Sequence, residues 1–179
     1  AGYSHTTYLK SDGTVWAVGR NFKGELGDGT TTQSSNPVQV IDAGGVPLSN
    51  VSAISAGNSR TVYLKGDGTV WAVGWNDFGQ LGDGTTTDRS NPVQVLDSLG
   101  NALSGVAAIS AGNAHTVFLK YDGTVWATGR NYSGALGDGT TTDRSNPVQV
   151  VDALGNALND VLMISAGDGQ TVYLKSDGT

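Results

Sequence analysis

The feature that most constrains this chain is repetition at a period of 55 residues. The stretch Thr69-Val-Trp-Ala-Val-Gly-Trp-Asn-Asp-Phe-Gly-Gln-Leu-Gly-Asp-Gly-Thr85 has near copies at 14–30 and 124–140. An Ala-Gly pair opens each copy, at Ala1-Gly2, Ala56-Gly57, Ala111-Gly112 and Ala166-Gly167. The chain therefore divides into 1–55, 56–110 and 111–165, with 166–179 beginning a fourth unit, and the full units are identical at 33 offsets. A unit of this size cannot bury its own apolar residues alone. It needs a like neighbour, so the period dictates a stacked architecture.

Each unit reads as four short strands. Around the second unit these are Val51–Ser55 (A), just before its opening Ala-Gly, then Thr61–Lys65 (B), Thr69–Val73 (C) and Pro92–Val95 (D), and no segment has a helical period. Gly66-Asp67-Gly68 between B and C is a hairpin signal, because Asp-Gly tolerates positive φ. Pro92 suits a strand start or an edge, where no ladder donor is lost. The first unit lacks strand A and the fourth stops after B, so both ends cut through a unit. The expected fold is all-β, a β-propeller of four-stranded blades. Recurring apolar positions are expected to fill the space between blades: Leu9/64/119/174, Trp16/71/126, Leu26/81/136 and Ile54/109/164. Core packing is the preferred reading of the tryptophans over ligand stacking.

Val51-Ser-Ala-Ile-Ser-Ala-Gly57, Gly66-Asp-Gly-Thr-Val-Trp-Ala-Val-Gly74, Asn76 and Gly79-Gln-Leu-Gly82 resemble the repeat of the regulator of chromosome condensation family. Ala-Gly-x-x-His at His5 and His115 also matches, whereas Arg60 and Gln170 depart. The resemblance implies a seven-bladed ring, of which this chain supplies about three blades as an open arc continuing past both ends. Alone, such a piece is expected either to stay an open arc or to associate head to tail. The resemblance also implies uses as guanine-nucleotide exchange factor, ubiquitin-ligase module, ultraviolet photoreceptor or enzyme inhibitor, and those activities live in sites rather than in the fold. Uniform repeats carrying Gly-Asp-Gly-Thr-Thr-Thr resemble bacterial members, many of them secreted or on the cell surface.

Several chemistries are disfavoured by the residues. The net charge of −6 lacks a basic cluster, which argues against nucleic acid and anionic membranes. No apolar run approaches a membrane span. There is no cysteine, hence no thiolate metal site or thiol nucleophile. No nucleophile elbow or phosphate loop appears, and neither enzyme nor cofactor is expected. Asp28, Asp83 and Asp138 in Gly-Asp-Gly-Thr read as side-chain-bonded turns rather than calcium ligands, because the spacing of a calcium loop is missing. His5 and His115 lack partners at metal-ligand spacing and read as structural or rim residues. Asn50-Val-Ser52 and Asn131-Tyr-Ser133 match the glycosylation sequon.

Differences between units crowd into the A–B loop and the start of the C–D loop, which an antiparallel blade places on one face. The expected partner-binding residues are Tyr3, His5, Arg20, Phe22, Asn58, Arg60, Trp75, Asp77, Phe78, Asn113, His115, Arg130 and Tyr132. Free drift would favour small polar residues there, yet these are aromatic and arginine-rich, the types enriched at binding hot spots. The expected function is a non-catalytic protein-binding scaffold. Its rivals are a regulator of a small GTPase, which would need an insertion these units lack, and a purely structural surface repeat.

Overall fold

A computed structural model describes all 179 residues. It contains thirteen strands and no helix: β1 (His5–Leu9), β2 (Val15–Gly19), β3 (Ser34–Gln39), β4 (Val51–Ala56), β5 (Arg60–Lys65), β6 (Val70–Gly74), β7 (Arg89–Gln94), β8 (Val106–Ala111), β9 (His115–Lys120), β10 (Val125–Gly129), β11 (Arg144–Gln149), β12 (Val161–Ala166) and β13 (Thr171–Lys175). They form antiparallel meanders in chain order: β1-β2-β3, β4-β5-β6-β7, β8-β9-β10-β11 and β12-β13. Two complete blades thus stand between two partial ones. Strand D begins at Arg89 rather than Pro92, because a bulge after Ala72 lets the chain re-pair Gly74 with Arg89. Pro92 lies inside β7, an edge strand, so its missing N–H costs no ladder bond.

The core lies between blades. Val62 and Leu64 of β5 cluster with Val70, Leu81 and Val95 of their own unit and with Phe118 of the next. Tyr63, on the other side of β5, packs against Val15, Leu26, Val40 and Leu48 of the preceding unit. Each blade thus inserts one aromatic ring into the blade before it. The Leu26/81/136 row is fully buried as expected. The tryptophans differ from expectation. Trp16, Trp71 and Trp126 are only half-buried, with Lys10, Lys65 and Lys120 at 5.0–5.5 Å over their rings. They sit at the margin of the seam, where a cation covers the remaining apolar face. The deeper positions are valines and alanines, such as Val15/70/125 and Ala17/72/127. Leu174 is exposed because no further blade in the chain covers β13.

Two backbone contacts fix the geometry. In the hairpin Gly68 has φ 78° and its N–H bonds Lys65 O at 3.0 Å, while Asp67 Oδ1 accepts from Thr69 N and Oγ1. Of the Asp-Gly pair, only the glycine takes positive φ, as in a three-residue loop closed by a glycine bulge. At the inner corner of the blade, a Cβ on Gly57 would lie 2.5 Å from Gly112 O, and Gly112 stands in the same relation to Gly167. Only glycine permits adjacent blades to approach this closely.

The side chain three residues after that glycine crosses the seam. His5 Nε2 meets Thr61 Oγ1 at 2.9 Å and His115 Nε2 meets Thr171 Oγ1 at 3.0 Å. Arg60 donates to Thr116 Oγ1, to Asn113 O at 2.6 Å, to Gly112 O and to His115 O. All three side chains are buried, Arg60 completely. This corrects their assignment to a partner-facing surface: they are buried and clasp the next blade. The A–B loop is short enough that its last side chain points under the neighbouring loop instead of out to solvent. Burial lowers Arg60 to about 9, which leaves it charged at neutral pH and satisfied by carbonyl oxygens rather than a carboxylate.

Two outcomes follow from this packing. Gly68→Val should cost more than about 1 kcal/mol of stability, read as a lower urea midpoint, since a β-branched residue resists positive φ. Gly66→Ser should not, because the nearest group is the exposed Asn50 side-chain tip and other units carry Ser11 and Tyr121 there. Equal midpoints for both variants would refute the hairpin assignment. The second outcome concerns acid. Burial, aided by the Arg60 charge, lowers His115 from 6.5 to about 4. The unfolded chain therefore binds this proton first, so stability falls as pH drops through 6.5 and levels off below about 4. The loss is at most about 3 kcal/mol for this group. His115→Gln should remove that slope; parallel stability curves for variant and parent between pH 7 and 4 would show that His115 is not held neutral.

Candidate partner-binding face

The A–B and C–D loops meet on one face. Arg20 N, Trp75 N and Arg130 N, at the start of each C–D loop, bond Ser4 O, Ser59 O and Ala114 O of the A–B loop at 2.8–2.9 Å. Each C–D loop is then built around a buried asparagine. Asn76 Oδ1 accepts from Leu81 N, and its Nδ2 donates towards Asp83 Oδ1, Thr85 O and Thr87 O; Asn21 and Asn131 repeat the pattern. Asp83 Oδ1 also accepts from Thr85 N and Oγ1, and its Oδ2 pairs with Arg89 at 2.6 Å, as Asp138 pairs with Arg144 at 2.8 Å. The Gly-Asp-Gly-Thr carboxylates are thus occupied as turn acceptors. Asn131, with its amide engaged inside the loop, is closed to glycan attachment in the folded state. This asparagine organiser was recognised by sequence only as a motif residue. Its sign is an identical Asn at the head of each Gly/Thr-rich loop, a polar residue with a fixed set of backbone partners.

On this scaffold stand the side chains that differ between units. Trp75 and Phe78 meet edge to face at 5.4 Å between centroids. Arg130 of the next blade lies 4.9 Å over the Phe78 ring and 4.3 Å over Tyr132. Trp75, Phe78, Arg130 and Tyr132 thus form one continuous stack across the seam between the second and third units. Trp75 and Phe78 are half-buried, while Arg130 and Tyr132 are exposed. In the first unit Arg20 stacks over Phe22 at 5.2 Å as a separate pair. Asp77 is exposed beside Lys23, at 3.8 Å, and Lys23 also holds Asp88 at 2.8 Å. Sequence alone did not single out Lys23, although it links the first two blades. Asn58 Nδ2 bonds Asn113 Oδ1 at 3.0 Å, and Asn113 Nδ2 bonds Asp168 Oδ1, so these two side chains tie A–B loops together. Tyr3 is 80% exposed at the inner end of the face.

Beneath the stack, the offset held by Glu25, Gln80 and Ala135 plugs the seam. Glu25 and Gln80 are buried, and their side-chain oxygens accept from Lys23 N at 2.8 Å and Phe78 N at 2.9 Å. Glu25 also faces Arg20 at 3.7 Å, an ion pair too long for a hydrogen bond. The arrangement as a whole offers rigid aromatic area with fixed cations, a surface suited to recognition.

The model of the regulator of chromosome condensation (RCC1) repeat matches residues 12–64, 67–119 and 122–174, in step with the 55-residue period. The chain is 33% identical over 150 residues to the ultraviolet-B receptor UVR8 of Arabidopsis thaliana, covering 84% of this chain and 33% of that protein. It is 32% identical over 181 residues to the probable E3 ubiquitin-protein ligase HERC3 of Homo sapiens, covering 99% of this chain and 16% of that protein. It therefore spans a third or less of these relatives. In three dimensions it superposes on Prp20p of Saccharomyces cerevisiae, a protein described with its binding to Gsp1p and histones. The TM-score is 0.79 at 18% identity, over 99% of this chain and 44% of that one. Repeat, blade and match coincide over most of the sequence, and the chain belongs to the regulator of chromosome condensation (RCC1) repeat family.

Proposed function

We propose that this chain is a non-catalytic protein-binding scaffold that docks its partner on the face formed by the A–B and C–D loops. The observation that carries the reading is the Trp75–Phe78–Arg130–Tyr132 stack. Four large side chains from two blades are held in register above a hydrogen-bonded loop framework, so little conformational entropy remains to be lost on docking. Tyr3, Phe22, Asp77 and Arg20 belong to the same face. Prp20p, which shares this fold and is described with its binding to Gsp1p and histones, supports a protein partner as the class of ligand. The opposite face carries Leu99 and Leu154, which are exposed but isolated within tight Asp97 and Asp152 turns. Single exposed apolar residues of that kind are ordinary surface.

Pull-down from an extract of the source organism, followed by affinity measurements on the captured protein, tests the reading. Trp75→Ala and Tyr132→Ala should each weaken capture by about 2 kcal/mol, roughly thirtyfold, with stability changed by less than about 1 kcal/mol. Leu154→Ala should leave binding unchanged. Trp71→Ala, at the seam margin, should instead cost about 2–3 kcal/mol of stability. If Leu154→Ala weakens binding and Trp75→Ala does not, the partner uses the other face.

A further inference from the structure

The first two seams are built alike wherever the units are identical. Gly29 N donates to Ser90 O at 2.9 Å across the first, and Gly84 N to Ser145 O at 3.0 Å across the second. Asn91 Nδ2 donates to Ile41 O across the first, as Asn146 Nδ2 does to Leu96 O across the second. Such contacts would join these units in any order. The residues that differ would not. The loop position held by Lys23 and Phe78 faces the next unit, and what it meets there changes with it. Lys23 Nζ lies 2.8 Å from Asp88 Oδ2 and 3.8 Å from Asp77 Oδ1. Phe78 lies instead under the Arg130 guanidinium, at 4.9 Å, and that guanidinium stacks at 4.3 Å on Tyr132, which holds the offset of Asp77. A cation on the first unit meets two carboxylates, and a ring on the second meets a cation backed by another ring.

Other pairings of these units are mismatched. Against a copy of the first unit, Lys23 would meet Arg20, Phe22 and Gln33, with no acid among them. Against the third unit it would keep Asp143, the counterpart of Asp88, but would meet Arg130 and Tyr132 in place of Trp75 and Asp77. Against a copy of the second unit, Phe78 would exchange the Arg130 cation for the Asp77 carboxylate, which a ring face repels. The clasps bar that last pairing as well. Buried Arg60 stands between His5 and His115 in the succession of clasps, and both histidines are lowered, chiefly by burial, to about 4 and so are neutral at pH 7. A second unit against its own copy would instead set two buried guanidinium groups at neighbouring corners, where solvent screens them poorly. We infer that the variable seam residues are addresses: each unit accepts its own successor and rejects the others, so that near-identical units stack in chain order without skipping one or taking the wrong unit of another copy. No partner enters the test, so its outcome is independent of docking on the loop face.

The test exchanges addresses without changing composition. Lys23→Phe with Phe78→Lys moves only the residues that reach forward. Trp75→Arg and Asp77→Tyr with Arg130→Trp and Tyr132→Asp moves only those that receive them. Each exchange alone should raise the unfolding constant at least about fivefold, and the two together should return it to within about threefold of the parent. Costs private to either exchange cancel in this cycle; losses that simply multiply would overturn the matching. Order is read by spin-label distance. The chain has no cysteine, so Ser11→Cys and Tyr121→Cys each take one label, on exposed hairpins of the first and third units. Ser11→Cys with Gly66→Cys calibrates adjacent units. After refolding, the parent should show one distance, that of units two places apart. The forward exchange alone should add the adjacent-unit distance in at least about a tenth of molecules, because misassembly of like units is the characteristic failure of repeat proteins and the ring at position 23 then suits the third unit. The double exchange should restore the single distance. One distance in every variant, even with a coupled cycle, would overturn the rejection of wrong neighbours.

Discussion

Everything in this molecule depends on one constraint: a blade has two apolar sides and can cover neither by itself. Tyr63 and Phe118 show how the repeat resolves it, each ring closing the core of the preceding unit while Val62 and Val117 open the next. Stability is therefore a property of seams, shared between consecutive units, with little inside any one blade. The polar contacts obey the same rule. Thr61 and Thr116 accept the clasping side chain of the unit before and donate back to the backbone of Glu25 and Gln80 in that same unit. A single position thereby joins the core seam to the loop face.

That coupling explains which parts of the chain were legible in sequence. Strands B and C, the hairpin glycine and the leucine row follow from alternation and from φ, which are local properties. The single-face placement of the A–B and C–D loops follows from antiparallel order. The fate of His5, Arg60 and His115 does not, because whether a loop residue points outward or under its neighbour depends on the approach of another blade. His and Arg at one offset looked like tolerance for exposure. They are instead two ways of reaching the same threonine hydroxyl, one with a neutral ring and one with a fork of donors that also takes carbonyl oxygens. The tryptophans erred the other way. Their size suggested the interior, but valine and alanine fill the depth of the seam while the indoles pack against its edge under lysine.

The loop face shows a division of labour. An asparagine, an aspartate and threonines spend their hydrogen-bonding capacity on the loop itself, so the backbone course is the same in every unit. What stands on it is then free to differ, as Arg20, Trp75 and Arg130 do. Neighbouring units can build composite surfaces from such differences, and the four-residue stack across the second seam is one of these. Neither unit contains it alone.

The glycine at the inner corner has a further consequence. Gly57 and Gly112 meet the carbonyl of the next corner through backbone atoms, so this contact between one blade and the next involves no loop-face side chain. Curvature and recognition are thereby uncoupled. Side chains on the loop face can be exchanged unit by unit while the pitch of the arc stays constant, and a new combination of neighbours presents a new surface at an unchanged spacing.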